Sequence, residues 1–350
     1  MTLLAFLRHL GFCVVLAGIS AMMVRAMISA RVMDTPDPRK AHATPTPKGG
    51  GVGIVVAFML GIAVLYGTAT FSRLADPYFR GVILASATIA LVAFIDDLRD
   101  WPFTVKLAAQ VLAALVAVGS GLYVSVYRLP FVGAVDVGWF GMPLTIVWIL
   151  FATNAMNFID GLNGLAAGTA LVAAGFLAFI AQQQEGWFVY FASLLLAAGL
   201  AGFLPFNFPR ARIFMGDVGS QFCGFVLAML GVAAARFGVM EMSFLLVPML
   251  LSGVLFDVAF TLVRRLFAGD RLTSPHRGHL YQLAQRSGMD ARRIAMLHWG
   301  FAALGGLAGI GFGMVPSAAK PLIPLLLLVP QLVWLGYVVR RARHADIGRW

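Results

Sequence analysis

Asp96 and Asp97 stand side by side in the run 95–100, IDDLRD, at the end of a long apolar stretch. At helical spacing Asp96 and Asp100 share a face, and Asp97 and Asp100 are also neighbours. Three close carboxylates repel one another unless a cation sits among them. An unpaired charge inside a membrane costs about 2.5 kcal/mol or more. A divalent metal or a cationic substrate is therefore expected beside the pair, in preference to a membrane-exit cap with Arg99 as partner.

A second constellation is 154–164, NAMNFIDGLNG, where spacing of three sets Asn154, Asn157 and Asp160 along one slowly drifting helical stripe. Amides both donate and accept, so such a stripe can read a nucleobase, bind sugar hydroxyls or ligate a hard cation through oxygen. Polar glue between helices accounts for one asparagine but not for three polar positions followed by glycines. The run 214–220, FMGDVGS, puts Asp217 where a helix begins. Alone it reads as an N-cap. As one more aspartate among small residues, with Arg210 and Arg212 nearby, it fits a Mg²⁺ shared between carboxylates and substrate phosphate.

Two basic loops could meet an anion. One, 272–281, reads LTSPHRGHLY, and its His276, Arg277 and His279 can bind phosphate oxygens or serve as membrane-surface charge. The other, 40–51, reads KAHATPTPKGGG, where Lys48 and the glycines can cradle an anion or simply end a loop. Asp34, Asp37, Asp270, Asp290 and Asp346 are expected to be loop or capping acids. Asp257 lies about two turns inside an apolar stretch, where a helix-helix hydrogen bond is the slightly preferred role and a functional one near the inner mouth the alternative.

The elements that must position these residues follow from composition. A length of 350 residues would suit two soluble domains, but 60% of the chain is apolar and only 12% is charged, with two glutamates in all. Apolar stretches of about 20 residues recur throughout, the length one helix needs to cross a bilayer core. Backbone groups in lipid must be satisfied within the segment, and the short alternating strands of a barrel are absent. The expectation is an all-α polytopic integral membrane protein, one transmembrane domain over 1–350. It has about eleven spans, starting near 10, 50, 81, 105, 139, 162, 187, 218, 242, 294 and 321. The first stretch is long for a signal peptide. Cys13 and Cys223 lie inside apolar stretches and indicate neither disulfide nor zinc.

The net charge of +11 is then an orientation signal, not a mark of nucleic-acid binding. With a periplasmic N-terminus, 20 of the 26 basic residues fall inside and the C-terminus is cytoplasmic. The cytoplasmic loops are expected at about 31–49, 98–104, 158–163, 205–217 and 264–293, with a basic tail at 340–350. An outer loop near 122–140 reads as a hairpin. Ten of the fifteen acidic residues then fall at the inner face, so the active site is expected on the cytoplasmic loops.

In this order, the runs at 40–51, 95–100, 154–164, 214–220 and 274–281 resemble the polyprenyl-phosphate N-acetylhexosamine-1-phosphate transferases over nearly the whole chain. The resemblance implies a bacterial inner-membrane enzyme that moves a sugar 1-phosphate from a UDP-sugar to undecaprenyl phosphate, releases UMP and uses Mg²⁺ or Mn²⁺. Asp96 and Asp97 match the family's paired aspartates, Asn157 and Asp160 its polar helix-end motif, Asp217 its metal-binding aspartate and His279 its first motif histidine. Tyr281 stands where members often carry a further histidine, and Asn163 where several carry a second aspartate. The implied catalytic set is Asp96, Asp97, Asp160 and Asp217, with Asp217 and Asn157 toward the metal. Lys48, Asn154, Asn157, Phe214, His276, Arg277 and His279 are expected to contact substrates. Direct attack by the lipid phosphate is the leading mechanism, beside a covalent aspartyl route. N-acetylglucosamine is the leading sugar, a modified 6-deoxy N-acetylhexosamine the next. Products of this kind start cell-envelope glycans such as O-antigen, and a homodimer is compatible with the sequence. A cation-coupled transporter is the rival from another class, though its site belongs near the bilayer midplane and in two related halves.

Overall fold

The computed structural model describes residues 2–34, 45–68, 77–99, 101–129, 133–236, 243–271, 276–316 and 318–348. Asp37, Asp100 and the motif positions 40–44 and 272–275 lie outside them. The described chain is almost wholly helical, because each apolar run must close its backbone hydrogen bonds internally. Helix α1 spans Leu3–Ala30, α2 Gly51–Thr68, α3 Pro77–Arg99, α4 Phe103–Gly119 and α5 Gly141–Phe158. They are followed by α6 Leu165–Gln183, α7 Trp187–Asn207, α8 Gly216–Arg236, α9 Leu246–Leu250 and α10 Ser252–Phe267. The chain ends with α11 Leu280–Arg286, α12 Ala291–Met314 and α13 Leu322–His344.

Eight of these helices are long and apolar enough to cross a membrane, and α2 and α4 are shorter apolar helices. The chain is a multi-pass membrane protein. The stretch that begins near 242 is not one helix: α9 and α10 are separate segments that meet at Leu251. The first helix also starts at Leu3, a full two turns before the expected position.

Helix α8 forms the axis of the bundle, with 94% of its most apolar window buried, whereas α1 and α13 show 17% and 22% and lie at the periphery. Close approach to this axis uses glycine. Gly51 on α2 meets the Gly219 backbone on α8, and a β-carbon at either would collide with its neighbours. The expected hairpin between α4 and α5 is present as β3 (Val126–Leu129) and β4 (Gly133–Asp136), antiparallel with Val126 opposite Asp136. A shorter pair, β1 (Met33–Asp34) and β2 (Thr46–Pro47), lies at the other end of the bundle and carries the chain toward α2.

Candidate active site

At that end, the C-termini of α3, α5 and α7 meet the N-termini of α4 and α8 around a cavity of about 350 Å³. The segment after β2 forms one wall. Phe214 N–H donates to Pro47 O (2.8 Å), Gly50 N–H to Phe214 O (2.9 Å) and Gly51 N–H to Met215 O (2.8 Å). This ladder sets Lys48 and Phe214 on the cavity wall. The neighbouring Gly50 and Gly51 are sites of close packing. A side chain at Gly50 would strike Phe203 and the Phe214 carbonyl, and one at Gly51 would strike α8.

The paired aspartates divide their work. Asp97 is buried and accepts the backbone N–H groups of Asp217 and Val218, both at 3.1 Å, so it caps α8 from another helix. Gly216 makes this approach possible. Its φ is +75°, and a β-carbon there would lie 2.5 Å from Asp97 Oδ2. Asp217, expected alone to be the cap, has its carboxylate free of that duty: Oδ2 lies 2.9 Å from Lys106 Nζ. The same ammonium is 2.6 Å from Asp96 Oδ2, while Asp96 Oδ1 accepts from Trp101 N–H at 2.8 Å. Lys106 thus bridges Asp96 and Asp217. The sequence reading counted it only as inner-face charge, although a lysine one turn into an apolar helix already calls for a partner.

The turn after α5 brings Asp160, Gly161, Leu162 and Asn163 to the cavity. Burial, and then the negative charges of Asp217 and Asp97, raise the Asp160 carboxyl well above the usual carboxylate range. Asn207, unassigned from sequence, also lines the cavity and fastens two loops: its Oδ1 accepts from Gly164 N–H (2.7 Å) and its Nδ2 donates to Ile213 O (2.9 Å). Gly164, with φ +73°, turns the chain so that its carbonyl accepts from Trp299 Nε1 at 2.9 Å. Asn157 lines the cavity and its Oδ1 accepts from Ser220 Oγ at 2.9 Å.

Three residues expected to touch substrate lie outside this lining. Asn154 donates to Gln110 Oε1 at 2.6 Å, and Gln110 donates to Gln221 Oε1 at 3.0 Å, a polar network between α4, α5 and α8. The stripe drifts enough for Asn154 to face a neighbouring helix while Asn157 and Asp160 face the cavity. His279 is buried with Nδ1 3.0 Å from Asp257 Oδ1. His276 accepts from Gly278 N–H through Nδ1 at 3.2 Å. Burial, then His279, Arg265 and Arg264, push its imidazole down to about 4, so it is neutral at neutral pH. From this loop Arg277 reaches the cavity, joined by Gln282 and Gln285 of α11, which sequence did not single out. Asp34, expected to be a loop acid, is a lining residue too, because β1 is paired with β2 beside Lys48.

The lining carries five aspartates against three basic residues, Lys48, Lys106 and Arg277. Similarity to known proteins agrees with this arrangement of motifs. The model for glycosyl transferase family 4 matches residues 79–235, which contain Asp96, Asp97, Asp160 and Asp217. The chain is 35% identical over 313 residues to the decaprenyl-phosphate N-acetylglucosaminephosphotransferase of Mycobacterium tuberculosis, covering 81% of this chain and 77% of that protein. The chain belongs to glycosyl transferase family 4. A probable undecaprenyl-phosphate N-acetylglucosaminyl 1-phosphate transferase of Bacillus subtilis is 30% identical over 80% of this chain and 76% of its own length. A phospho-N-acetylmuramoyl-pentapeptide-transferase of Moorella thermoacetica is 34% identical over 76% and 83%. As a family 4 member the chain is a phosphosugar transferase of the membrane, and nothing in these similarities supports the transporter reading.

Proposed function

We propose that the protein transfers N-acetylglucosamine 1-phosphate from UDP-N-acetylglucosamine to undecaprenyl phosphate at the cytoplasmic face of the bacterial inner membrane, releasing UMP. The observation that carries this reading is the meeting of Asp96, Asp97, Asp160 and Asp217 in one cavity at one end of the bundle. A site there can meet a lipid head group and a soluble nucleotide at once. In this arrangement α2, α4 and the α9–α10 pair complete eleven crossings, with the N-terminus outside.

The donor set fits Mg²⁺. Its atoms are hard carboxylate and amide oxygens, and five aspartates facing three basic residues leave the cavity short of positive charge for two phosphates. Among the described residues no group of three or more His, Cys, Asp or Glu forms a ready cage. Mg²⁺ needs none, since it takes one or two carboxylates and completes its shell with waters and substrate phosphates. Asp217 and Asn157 would hold the ion, and it would stabilise charge on the UMP leaving group.

An oxygen of the lipid phosphate attacks the sugar-linked phosphorus of the donor, and the bond to the UMP oxygen breaks. The acceptor needs no strong base, because its second proton leaves near pH ~6. Lys106 holds Asp96 and Asp217 in register, Lys48 and Arg277 offset phosphate repulsion, and Asp97 keeps the α8 N-terminus in place. Phe214 and the amide of Asn157 face the nucleotide-sugar. Asp160 stands on the cavity wall, within reach of a phosphate or sugar oxygen.

The test is UMP release by purified protein with undecaprenyl phosphate, Mg²⁺ and a panel of UDP-sugars, including a 6-deoxy N-acetylhexosamine. Lipid-dependent release is expected with UDP-N-acetylglucosamine. EDTA should abolish it and excess Mg²⁺ restore it, with Asp217→Asn lowering it at least about 100-fold. No release with any sugar from folded protein would overturn the reading.

A further inference from the structure

The cavity is closed on one side by an element whose anchor takes no part in the chemistry above. Asp257 is buried on α10, 1% exposed. Its Oδ1 accepts from Leu280 N–H and the His279 imidazole, each at 3.0 Å, and from Thr261 Oγ at 3.3 Å. Its Oδ2 accepts from Tyr281 N–H at 3.0 Å. An ionised carboxylate has only acceptors, so Nδ1 of His279 is the donor. Leu280 and Tyr281 open α11, and the first N–H groups of any helix lack intrahelical partners. One side chain from a neighbouring helix therefore caps the Leu280 and Tyr281 N–H groups that open α11.

The chain of contacts continues to the other side of the cavity. Tyr281 is buried, and its hydroxyl donates to Phe158 O at 2.9 Å. Phe158 is the last residue of α5, two positions before Asp160. Gly161 lets the phenol come this close, since a β-carbon there would collide with the Tyr281 hydroxyl. Gln282, the next residue of α11, lines the cavity and accepts from His279 N–H at 3.3 Å.

We infer that Asp257 is a positioning residue for the transfer reaction: through α11 and Tyr281 it latches the turn that carries Asp160 to the wall that carries Gln282. The inference rests on the activity proposed above, but the latch itself is a statement about geometry. The contacts of Asp257 are to Thr261, the His279 ring and the first N–H groups of α11, and its effect passes through backbone and phenol. The expected helix-helix hydrogen bond is present, and it is made to the N-terminus of α11. The latch makes 158–164 and 279–285 one unit, although more than a hundred residues separate them in sequence.

The test pairs kinetics with hydrogen exchange, using full-length protein in detergent or nanodiscs. Tyr281→Phe removes one hydroxyl and keeps the ring, so the fold should hold. Exchange at 158–164 should rise about tenfold while that of α8 stays unchanged, and kcat should fall about fivefold to tenfold with KM for the UDP-sugar within twofold. Asp257→Asn should raise exchange at both 158–164 and 279–285 and lower kcat further. Asp257→Glu should regain part of both. A merely structural role would lower thermal stability without a selective change at 158–164. Unchanged exchange at 158–164 in Tyr281→Phe, or wild-type kcat in Asp257→Asn, would overturn the latch. If wild-type protein releases no UMP while exchange still responds, the activity fails and the latch stands.

Discussion

A single ammonium, Lys106 Nζ, lies within 3 Å of two carboxylates from different helices. Removing it would leave Asp96 and Asp217 facing each other without compensation, and breaking a charge-assisted hydrogen bond costs about 1.5–3 kcal/mol. Lys106→Met is accordingly expected to lower kcat/KM for UMP release by about 10- to 100-fold. Lys106→Arg should restore only part of it, because a planar fork does not replace a compact point charge between two carboxylates. Steady-state kinetics on detergent-solubilised variants would decide, and activity of Lys106→Met near wild type would remove the residue from the machinery. Of the residues around this ammonium, the aspartates were legible as chemistry. Their division into Asp97, which caps a helix, and Asp96, which pairs with a lysine, was not. Both are buried neighbours on one helix, and only the position of α8 distinguishes them.

Elements were the most legible scale, since a run of about 20 apolar residues has few folded options in lipid. What stayed hidden was which small residues serve contacts between elements. In 40–51 the glycines adjoin Lys48 and suggested an anion cradle, yet Gly51 is where α2 crosses α8, a contact made with Gly219. No local pattern announces a partner that far along the chain. Gly51→Ala is expected to cost about 1–3 kcal/mol by overpacking, and to reduce UMP release because Lys48 and Phe214 ride on the same ladder. Gly67→Ala is the matched control: nothing lies within 4 Å of its added carbon. Thermal denaturation in detergent should show a lower midpoint for the first and an unchanged or higher one for the second. Equal midpoints would mean that the crossing can relax around a methyl group.

At the scale of the molecule, all lining residues lie at one end of the bundle and the β3–β4 hairpin at the other. In the proposed orientation, taken from the charge bias of the loops, the cavity faces the cytoplasm. In a background with Cys13 and Cys223 replaced by alanine, Glu185→Cys in the turn between α6 and α7 should react with an impermeant maleimide on intact cells. Ala345→Cys beyond α13 should react only after lysis. The reverse pattern would invert the orientation and set the cavity on the wrong side for a cytosolic nucleotide-sugar. Arginine and lysine placement alone gives the proposed direction of the chain, and this labelling tests it. The latch between Asp257 and α11 was not legible, because a buried aspartate in an apolar run looks the same whether it meets a neighbouring helix or the end of a short one.

The lining runs from Asp34 to Gln285 and draws on almost every stage of the chain between them. Ribosomes add about 5–20 residues per second, so the first lining residue is made roughly 10 to 50 seconds before the last. Once α8 has begun, the nascent protein carries Lys48 and all five of the cavity's aspartates, still without Arg277 or the helix that closes the wall. A chain stalled or cleaved before α11 is therefore expected to be inserted yet silent, and the growing protein cannot consume lipid acceptor until its synthesis is nearly done.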